Sequence, residues 1–358
     1  MNIILLALLS VSILATTSEG QKITNEILMS RSDVIWGFDF LSDGRIIFTE
    51  RDGKMGVFDP KTKKVVELKG VPKVHNAGQG GLLDVRVHPK NGLIYFTYAE
   101  PVKKLATTAF ATAKLDGDKL VDFKKLFSAE QANDNDIHFG SRIEFDGKGH
   151  IFMSVGDRNE RHNSQSLKFH QGKILRFNED GSVPKDNPFI GQKEARPEIW
   201  SYGHRNPQGL VFNPQTSELW EAEFGPRGGD EINLVKPGKN YGWPVVTFGK
   251  EYWGPKIGEG TKKEGMEDPI KQWTPVISPS AIAYYQGESF PKWKGNFFLA
   301  TLSSTHIRRL VMDGQKVVKE EEFFKDLDYR FRNIRAGKDG FLYYSTDEGK
   351  LGRLVPSK

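Results

Sequence analysis

The sequence predicts an all-β chain, folded as a six-bladed β-propeller of four-stranded antiparallel blades. Three observations carry that prediction. One phrase returns six times between residue 42 and the C-terminus: a turn with Asp-Gly, Asn-Gly or Lys-Gly, then apolar residues, then a small or hydroxyl residue. No segment keeps a 3.6-residue apolar period, and the longest helix-tolerant stretch, residues 123–136 ("FKKLFSAEQANDND"), is short and ends in turn formers. Glycine (37) and phenylalanine (24) are spread along all 358 residues, a composition suited to many short strands joined by tight turns.

In chain order the copies are "SDGRIIFTE" (42–50), "KNGLIYFTY" (90–98), "GKGHIFMSVGD" (147–157), "TSELWEAEFG" (216–225), "WKGNFFLATL" (293–302) and "KDGFLYYSTD" (338–347). Most are followed by a second strand with its own turn: "KMGVFDP", "ATAKLDGD", "GKILRFNEDG", "DEINLVKPG", "HIRRLVMDG" and "GKLGRLVPS". Asp-Gly and Asn-Gly tolerate positive φ and so mark hairpins. One sheet cannot hold so many strands without curling or splitting. Radial repetition of four-stranded units solves the edge problem, whereas a β-sandwich does not explain six returns of one phrase. Three irregular insertions interrupt the pattern, at 159–169, 187–196 and 247–273, and are expected on one face of the ring.

The first residues, "MNIILLALLSVSILATTSEGQK", carry an apolar run over 3–15 that is too short to span a membrane and fits a secretory leader. A signal peptide over 1–20, cleaved near Thr17 or Gly20, and a single propeller domain over 21–358 follow as expectations. The mature chain is then periplasmic or secreted, without stable membrane insertion. A net charge of +5 with scattered basic residues gives no nucleic-acid groove. With no cysteine the chain has no disulfide, no lipid-anchored thioether, no thiol nucleophile and no covalent c-type haem.

Familiar motifs are absent: H-E-x-x-H, the phosphate-binding and dinucleotide glycine loops, and the G-x-S-x-G elbow. What remains is a scattered polar set flanking the repeated strands. His138 stands in "NDNDIHFGSR", one strand before Asp157 in "SVGDR". It reads either as a satisfied imidazole or as a base oriented and made more basic by Asp157. The other histidines (75, 88, 150, 162, 170, 204 and 306) show no zinc-ligand spacing. In "SYGHRNPQGLVFNP" (201–214), Arg205 and Asn206 either cap a turn or offer a guanidinium fork to a carboxylate or oxyanion. The loop "EFGPRGGDEINLVKPGKNYGWP" (223–244) frees the Gly225 and Pro226 carbonyls beside Asp230 and Glu231, either as a solvated loop or as oxygen ligands for Ca²⁺. Gln79 opens a strand in "GQGGLLDVRVHP". In "RFRNIRAGKDG", period two puts Arg330 and Arg332 on one face, at an exposed edge or around an anion.

Together these phrases resemble the pyrroloquinoline-quinone (PQQ)-dependent sugar dehydrogenases, and within them the soluble aldose sugar dehydrogenases of the glucose/sorbosone dehydrogenase family. The resemblance runs from "VIWGFDFLSDGRIIFTERDGKM" to the C-terminus, and "SYGHRNPQGL" and "GPRGGDEINLVKPGKNYGWP" are its most specific parts. It implies a six-bladed propeller that oxidises aldoses at C1 to lactones, with hydride passing to C5 of the quinone. It implies His138 as general base, Asp157 as its support, and Arg205 near the quinone oxygen. Gln79, Asn206, Thr247, Tyr252 and Thr301 would neighbour the cofactor, and Arg330 and Arg332 would neutralise its carboxylates. The Gly225 and Pro226 carbonyls would hold the Ca²⁺ that acts as Lewis acid. Glu231 and the Tyr241 carbonyl would hold a second, structural Ca²⁺. Two departures stand out: Ser303 occupies the place of a family lysine that contacts the cofactor, and Phe224 that of a frequent histidine. With no haem or flavin motif, electrons would leave to a separate acceptor. The rival readings are a non-catalytic propeller that binds carbohydrate or protein, favoured by Ser303, and a calcium-dependent lactonase, which needs a carboxylate cage around a central metal.

Overall fold

Each copy of the repeated phrase becomes the second strand of a blade: Ile46–Glu50, Ile94–Val102, His150–Val155, Glu218–Glu223, Phe297–Thr301 and Leu342–Thr346. In the computed structural model of the protein, residues 14–16, 20 and 22–357 are described. The companion phrases form third strands: Met55–Asp59, Leu105–Asp116, Lys173–Asn178, Asp230–Val235, Ile307–Asp313 and Lys350–Pro356. Innermost strands Ile35–Phe40, Leu82–Val87, Ile143–Phe145, Pro207–Asn213, Pro279–Tyr284 and Phe331–Ala336 complete six antiparallel sheets with one outer strand each. Each innermost strand packs against the next, and the last returns to the first, so the ring is closed. The chain is a six-bladed β-propeller, with no α-helix among the described residues.

Burial explains why the second strands were easy to read and the outer ones were not. Ile46–Glu50 and Phe297–Thr301 are buried at every residue because both faces of a blade lie against neighbouring blades. The outer strands are solvated and carry lysines that protect an open edge: Lys64–Glu67 is exposed at three of its four residues. The helix-tolerant segment resolves the same way. Residues 119–128 pair along the long strand Leu105–Asp116 with two register shifts, and the polar run beyond it is irregular.

The outer strand of the last blade comes from the other end of the chain. Lys22–Ser30 pairs antiparallel with Lys350–Pro356, clasping the ring shut. Leu14–Thr16, within the span read as a leader, adds a short strand on residues 22–24, while the rest of that span apart from residue 20 lies outside the described residues.

Five of the innermost strands carry a register shift at their start, leaving Trp36, Leu83 and Asp84, Gln208, Ser280 and Arg332 outside the regular ladder. Bulges re-aim side chains and free backbone groups. Here they free the carbonyls of Gln208, Ser280 and Arg332, and the Arg142 guanidinium takes all three, at 2.6, 2.8 and 2.8 Å. The same guanidinium meets Asp84 and lies 4.1 Å from the centre of the Trp36 ring. One buried side chain of the third blade thus touches the innermost strand of the five others.

Candidate active site

His138 lies in an irregular loop ahead of Ile143–Phe145, and that loop is held in place by an arginine. The Arg158 guanidinium stacks 3.6 Å from the Phe139 ring centre and donates to the Ile137 carbonyl (2.6 Å) and Asn133 Oδ1 (2.9 Å). His138 itself adopts a left-handed backbone, φ 55°, which packing must enforce for a non-glycine residue. Close approach of a neighbouring strand end sets the other side. A Cβ at Gly156 would stand 2.1 Å from the His138 carbonyl oxygen, so only glycine lets the loop lie against it.

The residues singled out in the sequence converge around this loop. His138 Nδ1 lies 2.7 Å from Asp157 Oδ1, and the His138 N–H donates to Gln79 Oε1 at 2.8 Å. Asp157 also accepts from the Asn159 N–H and, through Oδ2, from the Trp243 indole at 2.8 Å. The Asp157 N–H donates to the Arg205 carbonyl at 2.7 Å, and Asn206 Oδ1 accepts from the Gly140 N–H at 3.1 Å. Asn206 is fully buried, yet its Nδ2 has no hydrogen-bond partner.

Burial and the nearby Arg205 cation hold the His138 pKa below its ordinary value, against the opposing pull of Asp157. Asp157 does pull the imidazole toward greater basicity, as expected, but desolvation of a buried imidazolium and the Arg205 cation outweigh that pull. Burial pushes Asp157 upward, but the contact with His138 and the field of Arg205 leave it below the usual carboxylate value. The pair therefore presents a neutral imidazole and an ionised aspartate at neutral pH.

Two pockets adjoin at Phe224. The first, about 290 Å³, is lined by Trp36, Arg51, Gln79, Gln208, Arg330, Arg332 and Asp347, among others. Arg330 and Arg332 do converge, but by a different route from strand periodicity: Arg330 precedes the strand and Arg332 sits in its bulge. Both bind Asp347, Arg332 through Nε at 2.7 Å and Arg330 through Nε at 3.0 Å. Three guanidiniums thus face one carboxylate. Ser303, in place of the lysine, bonds Oγ to Oγ with the pocket residue Ser278 at 2.9 Å.

The second, narrow pocket is lined by Arg205, Glu223, Phe224, Gly225, Glu231, Tyr241, Trp243 and Thr247, among others. Arg205 Nη1 donates to the Phe224 carbonyl (3.0 Å) and reaches the Gly225 carbonyl (3.3 Å). Asp230 is no free ligand. Its carboxylate accepts from the Gly225, Ile277 and Ser278 N–H groups, at 2.7, 2.6 and 2.6 Å, and shapes the loop instead. Behind this pocket His204 and Glu221 join its lining residue Glu223, all three buried with ligand atoms within 4.8 Å of one another. Burial and the adjacent Glu223 push Glu221 up to about 7, and the same causes raise Glu231 well above the carboxylate range. Against the burial penalty, Glu221 and Glu223 push His204 up to about 9.

Two residues expected beside the cofactor line neither pocket. Thr301 is fully buried within its blade and donates its hydroxyl to the His306 carbonyl, lining neither pocket. Tyr252, in the third insertion, is 64% exposed. Pro226 is buried against Gly249 and lines neither pocket. His138 also lines neither, though its partners Gln79 and, through Asp157, Trp243 do.

Sequence reading missed Arg51, Asp347, Trp243, Glu223 and the His204–Glu221 pair. A signal for the first four was present. Glu223 and Asp347 each follow directly on a second-strand phrase or end it, as does Arg51, so all three reach the same rim. Trp243 lies inside the specific "NYGWP" phrase. His204 and Glu221 have no linear signal, being brought together across two elements.

Comparison with known proteins bears on these features. The family profile "Glucose / Sorbosone dehydrogenase" matches residues 32–355. The chain is 39% identical over 342 residues to the aldose sugar dehydrogenase YliI of Escherichia coli (strain K12), covering 92% of each. Among solved structures, the apo-form soluble aldose sugar dehydrogenase from Escherichia coli matches with a TM-score of 0.90 at 38% identity, over 94% of this chain and 100% of that one. The PQQ-bound aldose sugar dehydrogenase from Streptomyces coelicolor matches with a TM-score of 0.77 at 26% identity, over 94% and 99%.

Proposed function

The chain belongs to the glucose/sorbosone dehydrogenase family and is an oxidoreductase acting on sugars, and on that footing we propose that it is a PQQ-dependent enzyme oxidising aldoses at C1 to the lactone. The observation that carries this reading is the neutral His138 imidazole held by ionised Asp157, joined through Gln79 to a pocket lined by Arg51, Arg330, Arg332 and one carboxylate, Asp347. That surplus of guanidinium suits a polycarboxylate cofactor, and the unpartnered Nδ2 of buried Asn206 leaves a donor for a ligand.

His138 takes the proton of the C1 hydroxyl as the C1–H bond breaks. Asp157 holds the ring by Nδ1 and stabilises the imidazolium that forms, while Trp243 fixes Asp157 from the other side. Arg205, set by the Glu223 carboxylate on its N–H at 2.6 Å, supplies positive charge to an oxygen that becomes anionic. When bound, PQQ would supply the hydride acceptor, and the Gly225 and Pro226 carbonyls would hold a Ca²⁺ supplying Lewis acidity. Glu231 and the Tyr241 carbonyl are the donors proposed for a second Ca²⁺, and the crowding of Glu231 against Glu223 supports a cation there. The lactonase reading loses its ground at the ring axis, where the Arg142 cation stands in place of a carboxylate cage.

Export fits the apolar run at 3–15 and places the enzyme in the periplasm or outside the cell, with a separate electron acceptor. Among the described residues no helix is long and apolar enough to cross a membrane.

The test is reconstitution of the purified protein with PQQ and Ca²⁺, followed by dye reduction with a panel of aldoses. His138→Ala should bind PQQ yet lose about 10²–10⁴-fold in kcat, the range for removal of a general base. Full activity in that variant rejects the base, and failure of the wild type to bind PQQ rejects the cofactor.

A further inference from the structure

We propose that His204, Glu221 and Glu223 bind one divalent metal ion of borderline softness, of the Zn²⁺ or Co²⁺ class, beneath the second pocket. The site is separate from the Gly225–Pro226 carbonyls and does not depend on the quinone reading.

The geometry is that of ligands around an ion. His204 Nδ1 lies 3.5 Å from Glu223 Oε1 and 3.7 Å from Glu221 Oε1. Those separations are too long for hydrogen bonds. They are close to the ~3.4 Å edge of a tetrahedron whose metal–ligand bonds are ~2.1 Å. His204 Nδ1 and Glu221 Oε2 have no hydrogen-bond partner although both residues are fully buried. Orphaned buried groups are rare, and the unpartnered His204 Nδ1 faces the Oε1 atoms of both carboxylates.

The surroundings orient each ligand as metal sites do. Ser201 Oγ lies 2.9 Å from His204 Nε2, so a proton held there leaves the Nδ1 lone pair free. The Tyr241 ring stacks on the imidazole at 4.7 Å. Asn233 Nδ2 donates to Glu221 Oε1 at 2.7 Å and reaches Glu231 Oε2 at 3.3 Å. Glu223 and Glu231 both line the second pocket, which gives an ion an entry path and an open coordination position. An imidazole nitrogen in the donor set favours a borderline ion over Ca²⁺ or Mg²⁺, which take oxygen. Since Glu223 Oε2 also accepts the Arg205 N–H, an ion on Oε1 would lock the residue that carries Arg205 into the sugar site.

The test uses full-length protein treated with EDTA and free of PQQ. Co²⁺ should bind one to one, with visible d–d bands of a low-coordinate site. Glu221→Gln should weaken Co²⁺ binding at least about tenfold, and His204→Asn should shift the bands. Because either variant could unfold, Zn²⁺ is also titrated into wild-type protein with ¹⁵N-labelled histidine, where the His204 Nδ1 resonance should move. An unmoved His204 resonance with Zn²⁺ in excess overturns the proposal, as does unchanged Co²⁺ affinity in both folded variants. Binding of Ca²⁺ with no binding of Co²⁺ or Zn²⁺ also overturns it and leaves the Glu231 calcium reading standing.

Discussion

Arg142 Nη1 lies 3.1 Å from Asp84 Oδ1 where the innermost strands of the propeller meet, and neither side chain reaches solvent. Asp84 also accepts from Arg335 and from the Ile143 N–H, and the Arg142 nitrogens left over go to carbonyls freed by bulges in three other blades. The floor of the first pocket is built on this pair, because Arg332 and Gln208 are two of those bulged residues.

Removing that guanidinium should be expensive. Arg142→Gln leaves three buried carbonyls and part of the Asp84 charge unpaired, and should lower unfolding free energy by about 3–5 kcal/mol. Urea denaturation followed by tryptophan fluorescence reads this directly. A loss under 1 kcal/mol would mean that the ring closes without its axial cation.

The pH profile follows from the direction of the His138 shift. Burial and Arg205 lower its pKa, so the neutral, base-competent form persists to lower pH than a free imidazole near ~6.5 allows. The acid limb of kcat/KM should therefore fall below ~6.5. Asp157→Asn removes the group that opposes the shift, so the limb should move lower still while kcat drops on the order of 10²-fold or more. The same shift acts on stability. An unfolded chain takes up a proton at this histidine that the folded one resists, so stability from its burial is lost as pH falls below ~6.5.

Arg51 should carry the anion-binding role left vacant at Ser303. Arg51→Gln reduces the guanidinium surplus of the first pocket and should weaken PQQ binding about 10–100-fold, as expected for one charge-assisted hydrogen bond. Ser303→Lys should tighten binding and steepen its salt dependence, since Ser303 is bonded to the pocket residue Ser278. Equilibrium titration of PQQ absorbance at two ionic strengths distinguishes these outcomes.

Gly156→Ala should disturb catalysis more than folding. The added methyl would meet the His138 carbonyl and, at 2.9 Å, Asn206 Oδ1. Moving the loop should cost about 1–3 kcal/mol of stability. Turnover should fall well beyond that loss of folded protein, a gap read by comparing kcat with the melting curve.

Much of the fold was legible because strand signals are local. A Gly-containing turn and a buried run of apolar residues fall within ten residues of one another, so six blades could be counted without any tertiary information. The outer strands escaped because their exposed, lysine-bearing sequences resemble any solvated segment, and the last of them, Lys22–Ser30, joins its blade from the opposite end of the chain. His138, Asp157, Arg205 and Asn206 were legible through contiguous phrases.

By itself, then, the sequence determined the class of fold, the family phrases and the chemistry of the residues at each strand end. Only the tertiary structure decided which of those residues meet. It joined Arg142 to the Arg332 carbonyl across 190 positions, put Arg51 beside Arg330, and faced His204 toward Glu221 and Glu223. It also let burial and Arg205 outweigh Asp157 at His138. The physical reason is that a strand's period tells which face a side chain takes, whereas partners and desolvation depend on the bulges and loops of other blades that close around it.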